Sequence, residues 1–448
     1  MKVLLISPNT LTVPFPVYPI GLDYVAGSIA LEHEVRIADL HLINLDALAR
    51  LLREFQPDII GLSLRNIDNT DAGDPLFFVN EYRDLTAWLR QRTRATLVCG
   101  GSGFTIMPQQ VLAMVDADYG IIGEGERFGL LVEALATGRN PAAIPGVLTT
   151  DGPATVPLPW SNPLARRFRH DADHTRFYLD NGGMLNLQSK RGCVFQCSYC
   201  PYPGIEGSTH RLTDPGEVAR TALQLERAGA RYLFFTDSAF NSDVRHSLAV
   251  AEALRTAGIT IPWGAFFAPL APPPGYFAAM AAAGCRHVEF GTESLSATML
   301  KAFRKPFRPE DVFPAHQQAR AAGLHTAHYF LLGGPGESEQ TITESLDAIE
   351  QLDKAVFFFF IGIRIYPGTA LYETALAEGK INAHDNMLQP VFYQPDDLAL
   401  ETMHSLVTRR ANGRRNWVTG AGGTQAAAVI HALHRRGFTG PLWEHLAR

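Results

Sequence analysis

Twice along this chain, short apolar runs alternate with helical stretches, and few folds accommodate that alternation. In the first stretch Lys2–Ser7, Val35–Ala38, Ile59–Ser63, Thr96–Cys99 and Tyr119–Ile122 read as strands. Gly21–Ala30, Asp46–Phe55, Asn80–Arg92 and Gln109–Val115 read as helices between them. Strands buried on both faces, each followed by a helical crossover, predict a doubly wound, Rossmann-like parallel sheet over residues 1–140. In the second stretch the strands are Met184–Ser189, Tyr232–Thr236, Trp263–Phe267, His287–Phe290, Ala327–Leu332 and Val356–Ile363. Helical stretches such as Pro215–Ala228, Val244–Ala257 and Glu339–Leu352 separate them, which predicts a partial (β/α)6 barrel over residues 184–385.

Between the two lies a segment, 141–183, punctuated by Pro141, Pro145, Pro153, Pro157, Pro159 and Pro163. Such spacing forbids long regular elements, so it reads as a linker with one hairpin near Gly146–Thr155. Its Arg166, Arg167, Arg169, His170 and His174 read as a solvated face. Residues 386–448 show two helical stretches, near Asp396–Arg410 and Thr424–Arg435, and are expected to form a small, mainly helical cap. Arg409, Arg410, Arg414, Arg415 and Trp417 read there as a surface basic patch.

Ligands of open parallel sheets and barrels gather at the carboxyl ends of the strands. In the first domain those ends carry Ser63-Leu64-Arg65-Asn66, Gly100-Gly101-Ser102-Gly103 and Gly123-Glu124-Gly125-Glu126, and three such loops at one edge predict a ligand face. In the second, the first strand runs into Lys190-Arg191-Gly192-Cys193-Val194-Phe195-Gln196-Cys197-Ser198-Tyr199-Cys200. Three thiolates at C-x3-C-x2-C suit an iron–sulfur cluster with one iron left for a non-protein ligand. A zinc knot would need a fourth ligand, for which only His210 is near. Later strand ends add Asp237-Ser238, Thr292-Glu293, Gly334-Pro335-Gly336 and Arg364. Cys99 and Cys285 read as core thiols, Cys285 at the end of an Ala-rich helix.

Composition narrows the partners. With 448 residues, net charge −6 and no basic block, nucleic acid is not expected as the main partner. The longest apolar run, Ala355–Ile363, is far short of the ~20 residues of a membrane span. The N-terminus reads as a strand rather than a signal peptide. Five cysteines, mostly in one cluster, form no disulfide framework, and a reducing cytoplasm is expected.

The C-x3-C-x-aromatic-C run resembles the signature of radical S-adenosylmethionine (SAM) enzymes, and the first domain resembles the cobalamin-binding domain that precedes many of them. The second resemblance rests on Pro19-Ile20-Gly21-Leu22-Asp23-Tyr24, Pro57–Ser63, Gly100-Gly101 and Gly123–Glu126. It implies a [4Fe-4S] cluster on Cys193, Cys197 and Cys200, with SAM on its open iron. For SAM it implies contacts from Tyr199, Asp237, Ser238, Thr292, Glu293, Gly334, Pro335, Gly336 and Arg364. For cobalamin it implies Pro19, Gly21, Asp39, Ser63, Arg65, Asn66, Gly100, Gly101, Ser102, Gly103, Gly123, Glu124, Gly125 and Glu126. Asp39-Leu40-His41-Leu42-Ile43-Asn44 lacks the glycine of the family's D-x-H-x-x-G, so His41 is expected not to ligate cobalt. Arg65 is then expected at the lower cobalt face.

The activity implied is C-methylation of an unactivated carbon in a small molecule or lipid precursor, through a 5'-deoxyadenosyl radical and methylcobalamin. A reducing partner such as flavodoxin or ferredoxin is implied with it. Cobalamin-dependent rearrangement or cyclisation is the alternative chemistry. A cobalamin-binding sensor or carrier is the alternative of another class, disfavoured because sensing needs no cluster. The residues that act as acid or base are not identified by this reading.

Overall fold

The computed structural model describes the chain apart from residues 13–14, 151, 153–154, 156, 163, 170–171, 420–422 and 448, and the side chains of 423–426. Pro153, Pro163 and His170 of the linker therefore lie outside the described residues.

The N-terminal sheet has six strands. Five are parallel: β1 (Lys2–Ser7), β2 (Glu34–Asp39), β3 (Ile59–Ser63), β4 (Thr96–Gly100) and β5 (Tyr119–Ile121). The order is β2-β1-β3-β4-β5, and β6 (Val147–Thr149) closes the edge antiparallel to β5. Chain direction across the sheet reverses between β1 and β3, which opens a crevice beyond their carboxyl ends. The strands are buried on both faces, as their continuous apolar runs require: Val3, Leu4, Leu5 and Ile6 are all at most 1% exposed. A helix over Arg127–Ala136, which begins directly after the Gly-Glu-Gly-Glu loop, also packs here through Phe128, Leu131 and Val132. The expected hairpin is present: Gly146 N–H donates to the Thr155 carbonyl at 2.9 Å, and Thr149 bridges Gly152.

The second sheet contains the six expected strands and one more. β7 (Met184–Leu187), β8 (Tyr232–Phe235), β9 (Trp263–Phe267), β10 (Cys285–Glu293), β11 (His325–Leu332) and β12 (Ala355–Ile361) lie side by side in chain order, all parallel. Beyond β12 pairs β13 (Trp417–Thr419), also parallel. The C-terminal segment is thus not only a helical cap. Its helices Leu400–Ala411 and Gly423–Arg435 flank a strand that covers the open edge of β12. The apolar run of β12 explains the pairing, since Trp417 stacks on Phe359 with ring centroids 5.1 Å apart. Cys285 opens β10 rather than ending a helix, and it is fully buried, as is Cys99 in β4.

Alternate residues of the barrel strands face opposite ways. Val288 and Phe290 face the helices, in one core with Val250, Leu254 and Phe277. Ala327, Val356 and Phe358 face inward and pack against Trp443 and Leu446 of a C-terminal 3-10 turn, Trp443–Ala447. The chain end therefore covers the inner face of the sheet near where β11 and β12 begin.

Candidate active site

The cysteine loop is anchored at its start by two adjacent cations pointing opposite ways. Lys190 and Arg191 form a short strand paired with Arg211 and Leu212. Lys190 Nζ meets Asp237 Oδ2 at 3.1 Å and the Phe240 carbonyl at 2.9 Å, within the barrel. Arg191 instead reaches the first domain, 3.1 Å from Glu124 and 2.8 Å from Glu126. Burial works against the Arg191 charge, but Glu126, Glu206 and Glu124 overcome it and hold the guanidinium charged. Gly192 then turns with φ +83°, where a Cβ would overlap the Thr209 carbonyl, so glycine is required there.

The loop itself is fixed by backbone bonds. Cys193 N–H donates to the Gly207 carbonyl at 3.1 Å, Ser198 N–H to Phe303 at 3.0 Å, and Cys200 N–H to Cys197 at 3.2 Å. Burial, together with the neighbouring thiolates of Cys197 and Cys193, pushes the Cys200 thiol up to about 12. Three mutually repelling thiolates are what a cationic cluster satisfies. Neither Cys99 nor Cys285 joins them, since both lie in apolar cores. His210 is 3.0 Å from the Ser242 hydroxyl.

Lys305, which sequence reasoning missed, connects the loop to β10. Its ammonium is 3.2 Å from Glu293 Oε1, 3.4 Å from the Tyr199 hydroxyl and 5.9 Å from that ring's centroid. Burial lowers its pKa, but Glu293 and the Cys197 thiolate outweigh burial, so the net direction is upward and the lysine stays charged. Glu293 adopts a left-handed backbone, φ +62°, at a register shift in β10, a costly conformation for a side-chain-bearing residue. The one available signal was a lysine flanked by Arg304 and Pro306 shortly after the Thr-Glu strand end.

Several residues expected at SAM are engaged within the protein. Asp237 is buried, accepting bonds from Ser189 and pairing with Lys190, so it braces the loop. Thr292 is fully buried and bonds His328 Nδ1 at 2.7 Å, away from the barrel mouth. The Arg364 guanidinium is spent on Asp68 of the first domain at 2.8 Å and on the Ile365 and Met387 carbonyls, both at 2.7 Å. The side chain is buried in these contacts, turned toward the first domain. Ser238 lies 3.5 Å from the Gly192 carbonyl, beside the loop. Gly334 packs under Phe303, Pro335 is half-buried, and Gly336 turns with φ +83°.

A cavity of about 430 Å³ lies between the domains. The ends of β1, β3, β4 and β5 line it, through Ser7, Ser63, Gly100 and Gly123, and the barrel contributes Gln188, Arg191, Tyr202 and Thr236. Of the residues expected at cobalamin, Pro19, Gly21, Ser63, Arg65, Gly100, Gly101, Ser102, Gly123, Glu124, Gly125 and Glu126 border this cavity. Asp39, Asn66 and Gly103 do not. Asp39 accepts the Tyr178 hydroxyl at 2.7 Å, and the Asn66 carbonyl accepts that of Tyr82 at 2.8 Å.

The glycines serve the backbone more than a ligand. A Cβ on Gly101 would sit 2.8 Å from the Leu64 carbonyl, and one on Gly103 2.9 Å from the Asn66 backbone. Glu124 and Glu126 are likewise turned to the cations of the barrel, with Arg211 2.7 Å from Glu124. Arg65 borders the cavity and enters no ion pair among the described residues. Burial presses its pKa down, against the pull of Tyr178 and Tyr82. His41 stacks on Phe177 at 5.4 Å and does not border the cavity.

The linker is a tie rather than a solvated connector. Arg166 pairs with Asp23 at 2.9 Å and donates to the Asn186 carbonyl of β7 at 2.8 Å, while His174 is buried beside Tyr18.

The comparisons agree with this geometry. The B12 binding domain family matches residues 6–130, and the Radical SAM superfamily matches residues 187–349. The chain belongs to the cobalamin-binding radical SAM enzymes. It is 27% identical to the tryptophan 2-C-methyltransferase of Streptomyces laurentii, over 84% of this chain and 74% of that one. It is 26% identical to an uncharacterized methyltransferase of Pyrococcus horikoshii, over 84% and 83%. Its fold matches the radical SAM methyltransferase TsrM of Kitasatospora setae, solved with cobalamin and a [4Fe-4S] cluster. The TM-score is 0.87 at 22% identity, covering 100% of this chain and 97% of that one. The cofactors of this radical SAM enzyme are accordingly a [4Fe-4S] cluster, SAM and cobalamin, and the three converging thiols and the strand-end crevice fit that set.

The barrel lumen of the enzyme is lined by aromatic rings. Phe234 and Phe266 meet edge to face at 5.3 Å, Phe266 and Tyr329 at 5.9 Å, and Tyr329 stacks on Phe358 at 4.9 Å and on Phe360 at 6.2 Å. Phe266 is 39% exposed, into this lumen. Beneath the rings lies buried Glu289, which accepts bonds from the Tyr329 hydroxyl at 2.7 Å and from Trp443 Nε1 at 3.0 Å. Burial raises its pKa. Thr236, two residues beyond Phe234 and so on the same face, borders the interdomain cavity. Among the described residues no helix is long and apolar enough to cross a membrane.

Proposed function

We propose that this enzyme transfers a methyl group from SAM to a carbon of a small aromatic molecule held in the barrel lumen. The observation that carries the reading is the row of rings Phe234, Phe266, Tyr329, Phe358 and Phe360 on the inner face of the barrel sheet. Edge-to-face and stacked rings favour a flat, apolar guest. The Streptomyces laurentii relative, a tryptophan methyltransferase by name, supports the same class. Lipid precursors and cyclisation substrates fit a ring-lined lumen less well.

Cobalamin would supply the methyl carrier, and the cluster would supply the electron for SAM chemistry. The chain's own residues do the rest. Cys193, Cys197 and Cys200 hold the cluster. Lys305 keeps a positive charge between cluster loop and Glu293, and Glu293 orients SAM. Arg65, which keeps its proton and is a poor metal ligand, borders the cavity that would hold cobalamin and would contact it without ligating the metal. Tethering by Arg191 fixes the two domains relative to each other, which would position a methyl donor held by one against a substrate held by the other. A low-potential donor of the flavodoxin or ferredoxin type delivers the electron.

The test uses anaerobically reconstituted holoenzyme with methyl-labelled SAM and a chemical reductant. Tryptophan and other indoles should gain label, saturated amino acids and isoprenoid alcohols should not, and Phe266→Ala should raise KM for the indole. Labelling of saturated substrates alone would overturn the aromatic assignment. Product from a protein lacking all three loop cysteines would overturn the cluster-dependent reading.

A further inference from the structure

At the far end of the barrel from the cysteine loop, two histidines and a glutamate converge where nothing in the proposed chemistry requires them. His287 of β10 and His325 of β11 are register partners on neighbouring strands, and their rings stack at 5.2 Å with planes 28° apart. Glu444, from the C-terminal Trp443–Ala447 turn, brings its carboxylate Oε2 within 3.0 Å of His287 Nε2. Donor atoms of all three residues lie within 4.8 Å of one another. His287 is six residues before Glu293, about 20 Å along the strand, so this cluster is separate from the cofactor site.

We propose that His287, His325 and Glu444 bind a zinc ion that fastens the chain's C-terminal turn to the base of the barrel. A plain histidine–glutamate pair explains the geometry less well. His287 Nε2 and Glu444 Oε2 are both buried and 3.0 Å apart, and a pair alone does not account for the second imidazole, His325, brought within 4.8 Å of both. Donors on one tetrahedral zinc, each ~2.0–2.1 Å from the metal, stand roughly 3.4 Å apart, so a small outward shift suffices.

The outer contacts also suit a metal. His287 Nδ1 is 2.8 Å from the hydroxyl of buried Tyr232. With Nδ1–H donated to that oxygen, the Nε2 lone pair points at the cluster, the arrangement that orients metal-bound histidines. Two imidazoles and one carboxylate, with no thiolate, form a donor set that suits zinc, with water in the fourth position. The tie has a structural consequence: the residue before Glu444 is Trp443, whose Nε1 bonds Glu289 on the lumen floor. Zinc there would close the lumen at the end opposite its mouth.

Full-length holoenzyme, equilibrated with zinc and freed of excess by gel filtration, should contain one zinc per chain beyond its iron and cobalt. Glu444→Gln, which preserves shape, and His325→Ala should each lose that zinc and keep normal iron and cobalamin content, so that misfolding is excluded. The Cys193, Cys197 and Cys200 triple alanine variant should keep its zinc. Chelation of wild type should speed proteolytic release of the C-terminal turn, and chelation of Glu444→Gln should not change it. Absence of zinc from the wild type overturns the proposal. So does zinc that persists in both histidine and glutamate variants, or that disappears with His33→Ala, a member of the other ligand-like group, Glu32, His33 and Glu133.

Discussion

Acidic side chains stand on the ligand-facing sides of both sheets, yet the two regions treat them differently. In the first domain, Asp23, Asp68, Glu124 and Glu126 are all met by guanidinium groups from beyond it: Arg166, Arg364, Arg191 and Arg211. In the barrel, Glu293 is paired within its own domain by Lys305, and Glu337 forms no ion pair among the described residues. Glu337 has only the Thr341 hydroxyl and the Gly333 N–H, and burial pushes its pKa up to about 7. A carboxylate at a strand end is therefore not in itself a cofactor contact. Here forked, permanently charged guanidinium groups join the domains, ammonium groups pair within the barrel, at Asp237 and Glu293, and the carboxyl without a cation has its pKa raised.

The largest expected effect comes from removing the arginine that serves two acids. Arg191→Met takes from Glu126 its guanidinium partner in a buried interface and leaves Glu124 to Arg211 alone, at about 3–5 kcal/mol. Anaerobic thermal unfolding should show this loss, with cobalamin retained poorly after gel filtration. Unchanged unfolding and cobalamin retention would mean that the interdomain pairs do not hold the domains together.

Next is the ammonium of the barrel. Lys305→Met should lower SAM turnover about 10²–10³-fold, the usual effect of losing one charged donor at a reacting centre. Iron content should stay normal, and Lys305→Arg should recover part of the rate. Turnover within twofold of wild type would reduce Lys305 to a packing role.

The acid without a cation gives a pH signature. Its folded-state pKa, about 7, lies above the ordinary carboxyl value. Its stabilising contribution is thus complete below the unfolded pKa and is lost as pH rises through 7. From pH 5.5 to 8.5 wild type should lose about 2 kcal/mol relative to Glu337→Gln. Parallel pH profiles for the two proteins would show that Glu337 is ionised throughout.

The smallest effect is expected at His41, which stacks on Phe177 outside the cavity. His41→Ala should leave cobalamin affinity unchanged, and the Co(II) spectrum should show no histidine nitrogen coupling in either protein. Coupling that disappears with the substitution would make His41 the ligand.

Much of this architecture was legible in the chain. Eleven strands were readable because buried parallel strands need unbroken apolar runs, and the cysteine loop because its spacing is local. The strand Trp417–Thr419 was not, since three residues carry no periodicity and the edge of β12 recruits them. Lys305 was missed because its partners are Tyr199 and Glu293, distant in sequence. Asp237, Thr292 and Arg364 read as SAM contacts because position at a strand end is visible in a sequence and side-chain direction is not.

The amino-acid sequence by itself determined what depends on neighbours along the chain: strand and helix periods, and three thiols within eight residues. Only the tertiary structure decided which charge meets which. Lys190 and Arg191 are adjacent and alike in charge, yet one braces the barrel and the other holds the first domain. Alternation along an extended strand sends neighbouring side chains to opposite faces, and what waits on each face is set by segments folded in from far away.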